Sequence, residues 1–188
     1  MLKYIEEAGK YVEITGFRNV NIKNTEEFVN MTRKEFHKNA GVQFFDAGLV
    51  ATWQHLYFAV LNALLVFKNK SNISKSVTME TMLYASAQRQ IKKAIELMGV
   101  KCASCDVAVV IIGASTESVE ALLYAVAKRV GEENDDSVLE ISNEKEKSIR
   151  EAFGITDAEL EAASKKNNGK KALVNLVIER VALLPTQL

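Results

Sequence analysis

One proline, two cysteines, two histidines and one tryptophan are all that 188 residues hold of four types that often carry rigidity or chemistry. Two cysteines build no disulfide framework. Cys102 and Cys105 would need two further ligands for a metal site, and only His37 and His55 exist, both distant in sequence. A thioredoxin-type pair follows a strand, whereas this one precedes one; a strained local disulfide is the alternative left open. With Pro185 the only proline, helix ends must come from caps and glycines. Charge of one sign is lacking too. Twenty-four basic residues meet 24 acidic ones, so any nucleic-acid contact must come from a local patch. No basic-then-apolar leader opens the chain, so a cytoplasmic protein is expected, and the acceptor-like tripeptides at Asn30 and Asn72 carry no meaning. Neither a nucleotide-binding glycine loop nor a Ser-His-Asp order is present. The chain reads as non-catalytic, with no cofactor and no metal.

Nearly half the residues are apolar (48%) and 26% are charged, the balance of a soluble globular protein with a core. One domain is expected over residues 1–188. Residues 11–17 alternate and are rich in Val12, Ile14 and Thr15, a strand pattern. Residues 24–27 (NTEE) open a capped helix running to about His37. A turn at 38–41 and a buried strand at 42–45 follow. Residues 49–67 are apolar nearly all round, which suits a core helix or a membrane span; Gln54, His55 and Asn62 argue against lipid. Residues 106–112 (DVAVVII) read as a central strand. Gly113, Ala114, Ser115 and Thr116 then turn into a helix that ends at Gly131. That turn could hold a phosphate, but capping by Ser115 or Thr116 is the simpler account.

An acidic loop at 132–136, a strand at 138–141 and a charged helix at 143–153 closed by Gly154 come next. Thr156 and Glu159 form a capping box for another helix. Residues 165–171 read as a basic turn. The last helix carries Leu173, Val174, Val177, Ile178, Val181 and Leu184 on one stripe before Pro185. Strands separated by helices give an α/β domain, with a mixed β-sheet packed with several helices.

Residues 79–99 hold two helical patterns that meet at a polar junction. Met79, Met82 and Leu83 form one; Ile91, Ala94, Ile95 and Met98 form the other, ended by Gly99. The spacing fits a break at Ser86 or a kinked helix, with Ser86 able to cap the second segment and Gln88, Arg89 and Gln90 opening it. Free amides at a helix start, an arginine fork and two amide side chains could hold a phosphate or an unpaired base. The plainer reading is an amphipathic helix with a solvated charged face. The loop KNKSNISKS brings Lys68, Lys70 and Lys75 near in sequence. Folded back toward Arg89, Lys92 and Lys93, it would make one basic patch.

The run ASAQRQI at 85–91, with Ala94, Ile95 and Gly99 after it, resembles the signature of the archaeal-type kinase-binding subunit of the KEOPS complex, the TPRKB family. Asp46-Ala47 leading to Val50, Ala51, Thr52 and His55, and the run DDSVLEI at 135–141, agree in order. The resemblance implies a non-catalytic subunit that binds the small atypical protein kinase of the complex and the single-stranded CCA end of tRNA, in support of threonylcarbamoyladenosine modification. It places tRNA contact on Ser86, Gln88, Arg89, Gln90, Lys92 and Lys93, with Lys68, Lys70 and Lys75 as supporting phosphate contacts and Tyr84 as a stacking candidate. For the kinase, the apolar last helix and tail are the expected interface: Val174, Ile178, Val181, Leu183, Leu184 and Leu188, unless that stripe only covers the sheet. Two other classes stay open: a kinase-docking module that ignores RNA, and a small enzyme using the 113–116 turn.

Overall fold

The continuous Val/Ile run expected at the centre of the sheet is there. In the computed structural model, which describes residues 1–34, 40–164 and 168–186, it forms Val107–Gly113 (β4), buried throughout. Three further strands complete one sheet: Leu2–Ile5 (β1), Lys10–Phe17 (β2) and Ala40–Asp46 (β3). Their spatial order is β1-β2-β4-β3, with Ile14 opposite Val110 and Phe44 opposite Val109. Every pairing is antiparallel, so the α/β class holds while the sheet is not mixed.

Strand periodicity divides β4 between two cores. Ala108, Val110 and Ile112 face one side, with Val12, Ile14 and Phe45. On that side lie Trp53–Lys68 (α2), Val77–Ala85 (α3), Ile91–Met98 (α4), Asn143–Phe153 (α6) and Gly169–Ala182 (α8). Val107, Val109 and Ile111 face the other side, under Thr25–Lys34 (α1) and Thr116–Val130 (α5). A short helix, Asp157–Ser164 (α7), precedes α8. The caps read from the sequence close these helices. Ser115 shares a capping box with Ser118, and Thr156 and Glu159 exchange bonds of 2.9 and 3.3 Å; Ser142, which the sequence reading does not single out, caps α6 by accepting from the Lys145 amide. Gly131 and Gly154 end α5 and α6 in the left-handed conformation. Among the described residues, no helix is long and apolar enough to cross a membrane.

Three expectations change. The apolar 138–141 segment is not a strand; Asp136–Leu139 is a 3-10 turn whose Val138 and Leu139 are buried as anchors. The aspartates before it decide this. Asp135 accepts from the Ser137 amide at 2.9 Å and from Arg18 at 2.8 Å, and Asp136 accepts the Thr15 hydroxyl at 2.6 Å. The turn lies so close to β2 that a Cβ on Gly16 would stand 2.1 Å from a Val138 methyl. The helix of 49–67 starts later, because Thr52 caps it and Val50 and Ala51 precede it outside the helix. Lys170 and Lys171 are not in a turn but in the first turn of α8, capped by Asn168. Residues 165–167 of the basic turn and residues 35–39, the end of the expected α1 with the start of the turn expected at 38–41, lie outside the described residues, while Ala40 and Gly41 of that turn begin β3.

Candidate functional site

The polar junction at the end of α3 is a hydrogen-bonded turn. Ser86 does not open the next helix; it closes α3, and the reason is its hydroxyl. That group donates back to the Met82 and Leu83 carbonyls at 2.8 and 3.1 Å and is buried. The Ala87 amide donates to Tyr84 at 3.0 Å and the Gln88 amide to Leu83 at 3.0 Å, the two bonds of a Schellman turn. Its left-handed position is held by Ala87, at φ 50°, where glycine is the usual occupant. The α2 end repeats the device. Lys70, at φ 56°, donates to Phe67 at 3.2 Å, and Ser71 to Val66 at 2.9 Å. Ala87→Gly is expected to stabilise the protein by about 1 kcal/mol, since an L-residue is disfavoured in this region by roughly that amount; denaturation midpoints at neutral pH check it.

Beyond the turn, Gln88 is half-buried, while Arg89, Gln90, Lys92 and Lys93 are exposed. Gln90 takes the cap position of α4 without a side-chain cap bond among the described residues. Lys92 stands 3.9 Å from Glu96 at i,i+4, an exposed contact of little strength. The apolar face expected on α4 is covered only at Ala94 and Met98; Ile91 and Ile95 stay 41% and 45% exposed. Tyr84 is buried, so the stacking role suggested for it falls away. Burial raises its phenol above the ordinary value, Glu80 adds to that, and Arg89 opposes it.

The lysine loop stands at the other end of α3. Nine residues of helix rise about 13 Å, so Lys68, Lys70 and Lys75 and the 88–93 cluster flank α3 from opposite ends. The loop is anchored by the buried Glu80 carboxylate, which accepts the Ile73 and Ser74 amides at 3.1 and 2.6 Å. Lys68 donates to the Glu7 carbonyl at 2.8 Å; Lys70 and Lys75 are exposed.

One residue ties α2 to the polar turn. His55 is wholly buried, its Nδ1 accepts the Ala51 amide at 3.3 Å, and its Nε2 lies 2.7 Å from the Ala85 carbonyl. The Phe153 ring stands edge-on at 5.4 Å. Burial pushes the imidazole down to about 4, so it is neutral near pH 7. The sequence reading of a satisfied core histidine describes this, but the Ala85 partner was not visible in it.

The last helix splits its stripe. Val181 and Leu184 are buried in the core and cannot meet a partner, because the stripe packs inward there. Val174 and Ile178 instead line a groove of about 450 Å³ with Gln54, Phe58, Ile141 and Lys171. Leu183 is exposed, and Leu188 lies outside the described residues. A larger open cavity, about 760 Å³, lies along α6 and is lined by charges that already pair, Arg150 with Asp157 and Lys147 with Glu151. At the 113–116 turn, Ser115 and Ser118 bond each other's amides, the capping account. Cys102 and Cys105 are free, exposed thiols.

The described residues build a helix-covered antiparallel sheet, with a polar turn at one end of a helical hairpin and a groove where that hairpin meets the last helix. The family described as kinase binding protein CGI-121 matches residues 17–184, and the chain belongs to it. A curated relative, the regulatory protein Cgi121 of Methanocaldococcus jannaschii, is 35% identical over 175 residues, 91% of this chain and 95% of the relative.

Proposed function

We propose that the chain is a non-catalytic, regulatory subunit of a cytoplasmic KEOPS complex. It docks the small atypical protein kinase in the groove between α2 and α8 and holds the 3′ CCA end of tRNA at the turn after α3, in support of threonylcarbamoyladenosine modification. Membership of a kinase-binding family supports the first contact. The second rests on one observation: a turn that bonds the last four carbonyls of α3 carries Gln88, Arg89 and Gln90 beside the open amides of α4 and the exposed Ile91 and Ile95. Arginine and amide side chains read phosphates and base edges, and exposed aliphatic surface receives the faces of unstacked bases. Lys92 and Lys93 add charge there; Lys70 and Lys75 meet phosphates further along the strand. Ser86 is not part of the contact, since its hydroxyl is buried against the helix.

The test is binding of intact tRNA against tRNA trimmed of its CCA end, at two salt concentrations. Trimming is expected to weaken binding at least tenfold. Arg89→Glu should cause a similar loss and flatten the salt dependence by roughly one contact, with kinase affinity unchanged. Equal, strongly salt-dependent binding of both RNAs would reduce the site to a nonspecific basic patch. Binding of neither would leave a kinase-docking module.

A further inference from the structure

A helix end leaves four carbonyls without intrahelical partners. At α3 these are Met82, Leu83, Tyr84 and Ala85. The first three are satisfied within the turn itself, by the amides of Ser86, Gln88 and Ala87 and by the Ser86 hydroxyl. The Ala85 carbonyl is satisfied from outside, by His55 of α2 at 2.7 Å. The tautomer follows from the other ring nitrogen. Nδ1 faces the Ala51 amide, which can only donate, so Nδ1 accepts and Nε2 carries the proton given to Ala85. Both bonds are buried, and the Phe153 ring packs against the imidazole at 82° to its plane.

From this arrangement we infer that His55 is a positioning residue for the RNA-end site: it locks the Ala85–Ser86 peptide, and through it the left-handed Ala87, so that Gln88, Arg89 and Gln90 are presented in one conformation. The inference rests on the function proposed above. Ala87 is the weak link. A left-handed alanine persists only while its surroundings over-determine it, and the His55 bond ties the end of α3 to another helix. Without it a buried carbonyl is orphaned, and the peptide that leads through Ser86 into the left-handed Ala87 loses its anchor to α2. A ligand must then order the turn before it can bind, which weakens affinity with no contact residue changed.

The experiment compares His55→Phe and His55→Gln with the unsubstituted protein, using intact and CCA-trimmed tRNA, and follows amide exchange at Ala87 and Gln88. Phenylalanine fills the space and makes neither bond. Glutamine offers one acceptor and one donor, as the imidazole does. His55→Phe is expected to lose the tenfold preference for intact tRNA and to speed exchange at both amides. His55→Gln should restore most of each, with kinase affinity within twofold in all three proteins. A merely structural histidine would move the melting temperature and leave the preference in place. A folded His55→Phe protein that still prefers intact tRNA overturns the inference alone. An unsubstituted protein without the preference overturns the proposed function, and this inference with it. If the phenylalanine does not fold, His55→Asn, which stops short of Ala85, takes its place under the same two outcomes.

Discussion

Leu184→Asp is expected to leave no stable fold, whereas Ile178→Asp should fold normally and lose the kinase. Both residues belong to one apolar stripe in the sequence, so the contrast measures which part of it the protein keeps for itself. Leu184 is buried among the core side chains beyond α8. An unpaired carboxylate at such a place costs several kcal/mol, much of the roughly 5–15 kcal/mol that holds a domain together. Ile178 lines the groove with Val174 and Phe58, half in water. A carboxylate there stays hydrated, and stability should change by no more than about 1 kcal/mol. A partner's apolar side chain would meet that carboxylate in a closed interface, and affinity should fall at least 100-fold, about 3 kcal/mol. Circular dichroism melts and binding calorimetry read both effects. A folded Ile178→Asp protein with full kinase affinity would move the kinase to another surface.

Acid should weaken the protein in two separate windows. His55 takes up its proton near pH 6.5 when unfolded and only at about 4 when folded. A histidine whose folded value is depressed contributes its full stability above pH 6.5, loses it as pH falls from 6.5 to about 4, and changes nothing below that. Two and a half units correspond to about 3 kcal/mol. The second window belongs to Asp135 and Glu159, each held down to about 2. Bonds from Ser137 and Arg18 lower Asp135; bonds from Thr156 and Arg180 lower Glu159. Both carboxylates are partly open to solvent, so their part is small, present above pH 4 and lost toward pH 2. Denaturant midpoints between pH 7.5 and 4.5 should fall steeply for the unsubstituted protein and stay nearly level for His55→Gln. A level curve for both would mean that His55 titrates normally.

The sequence made the centre of the fold legible and left its margins dark. β4 could be read because seven consecutive buried residues need β-branched side chains on both faces. Helix ends at Ser115, Gly131, Gly154 and Thr156 could be read because capping is local chemistry. β1 could not; four residues at a sheet edge, three of them exposed, carry no alternation to detect. The 138–141 segment misled because its apolar residues anchor a turn that two aspartates impose. The site shows the same division. Periodicity marks a face as apolar but does not say whether anything covers it. It therefore put Ile91 and Ile95 with the core, and grouped Val181 and Leu184 with Val174 and Ile178. Of a break at Ser86 or a kinked helix, the break is what forms, but the Ser86 hydroxyl ends the first helix instead of capping the second. The His55 to Ala85 bond joins residues 30 apart, and no local pattern encodes it.

The position of β4 also governs how the chain comes together during synthesis. β2 and β3 flank it in the sheet and do not pair with each other. Both are complete by residue 46, while their common partner begins at residue 107. At about 5–20 residues per second, a ribosome takes several seconds to deliver it, and the two strands wait with apolar faces and open edges. In the meantime α2 and α3, neighbours in sequence, can pair as a hairpin within a far shorter time. The helical hairpin is thus expected to form first and shelter one face of the waiting strands, leaving the α5 side, which arrives after β4, as the face most exposed to aggregation in the nascent protein.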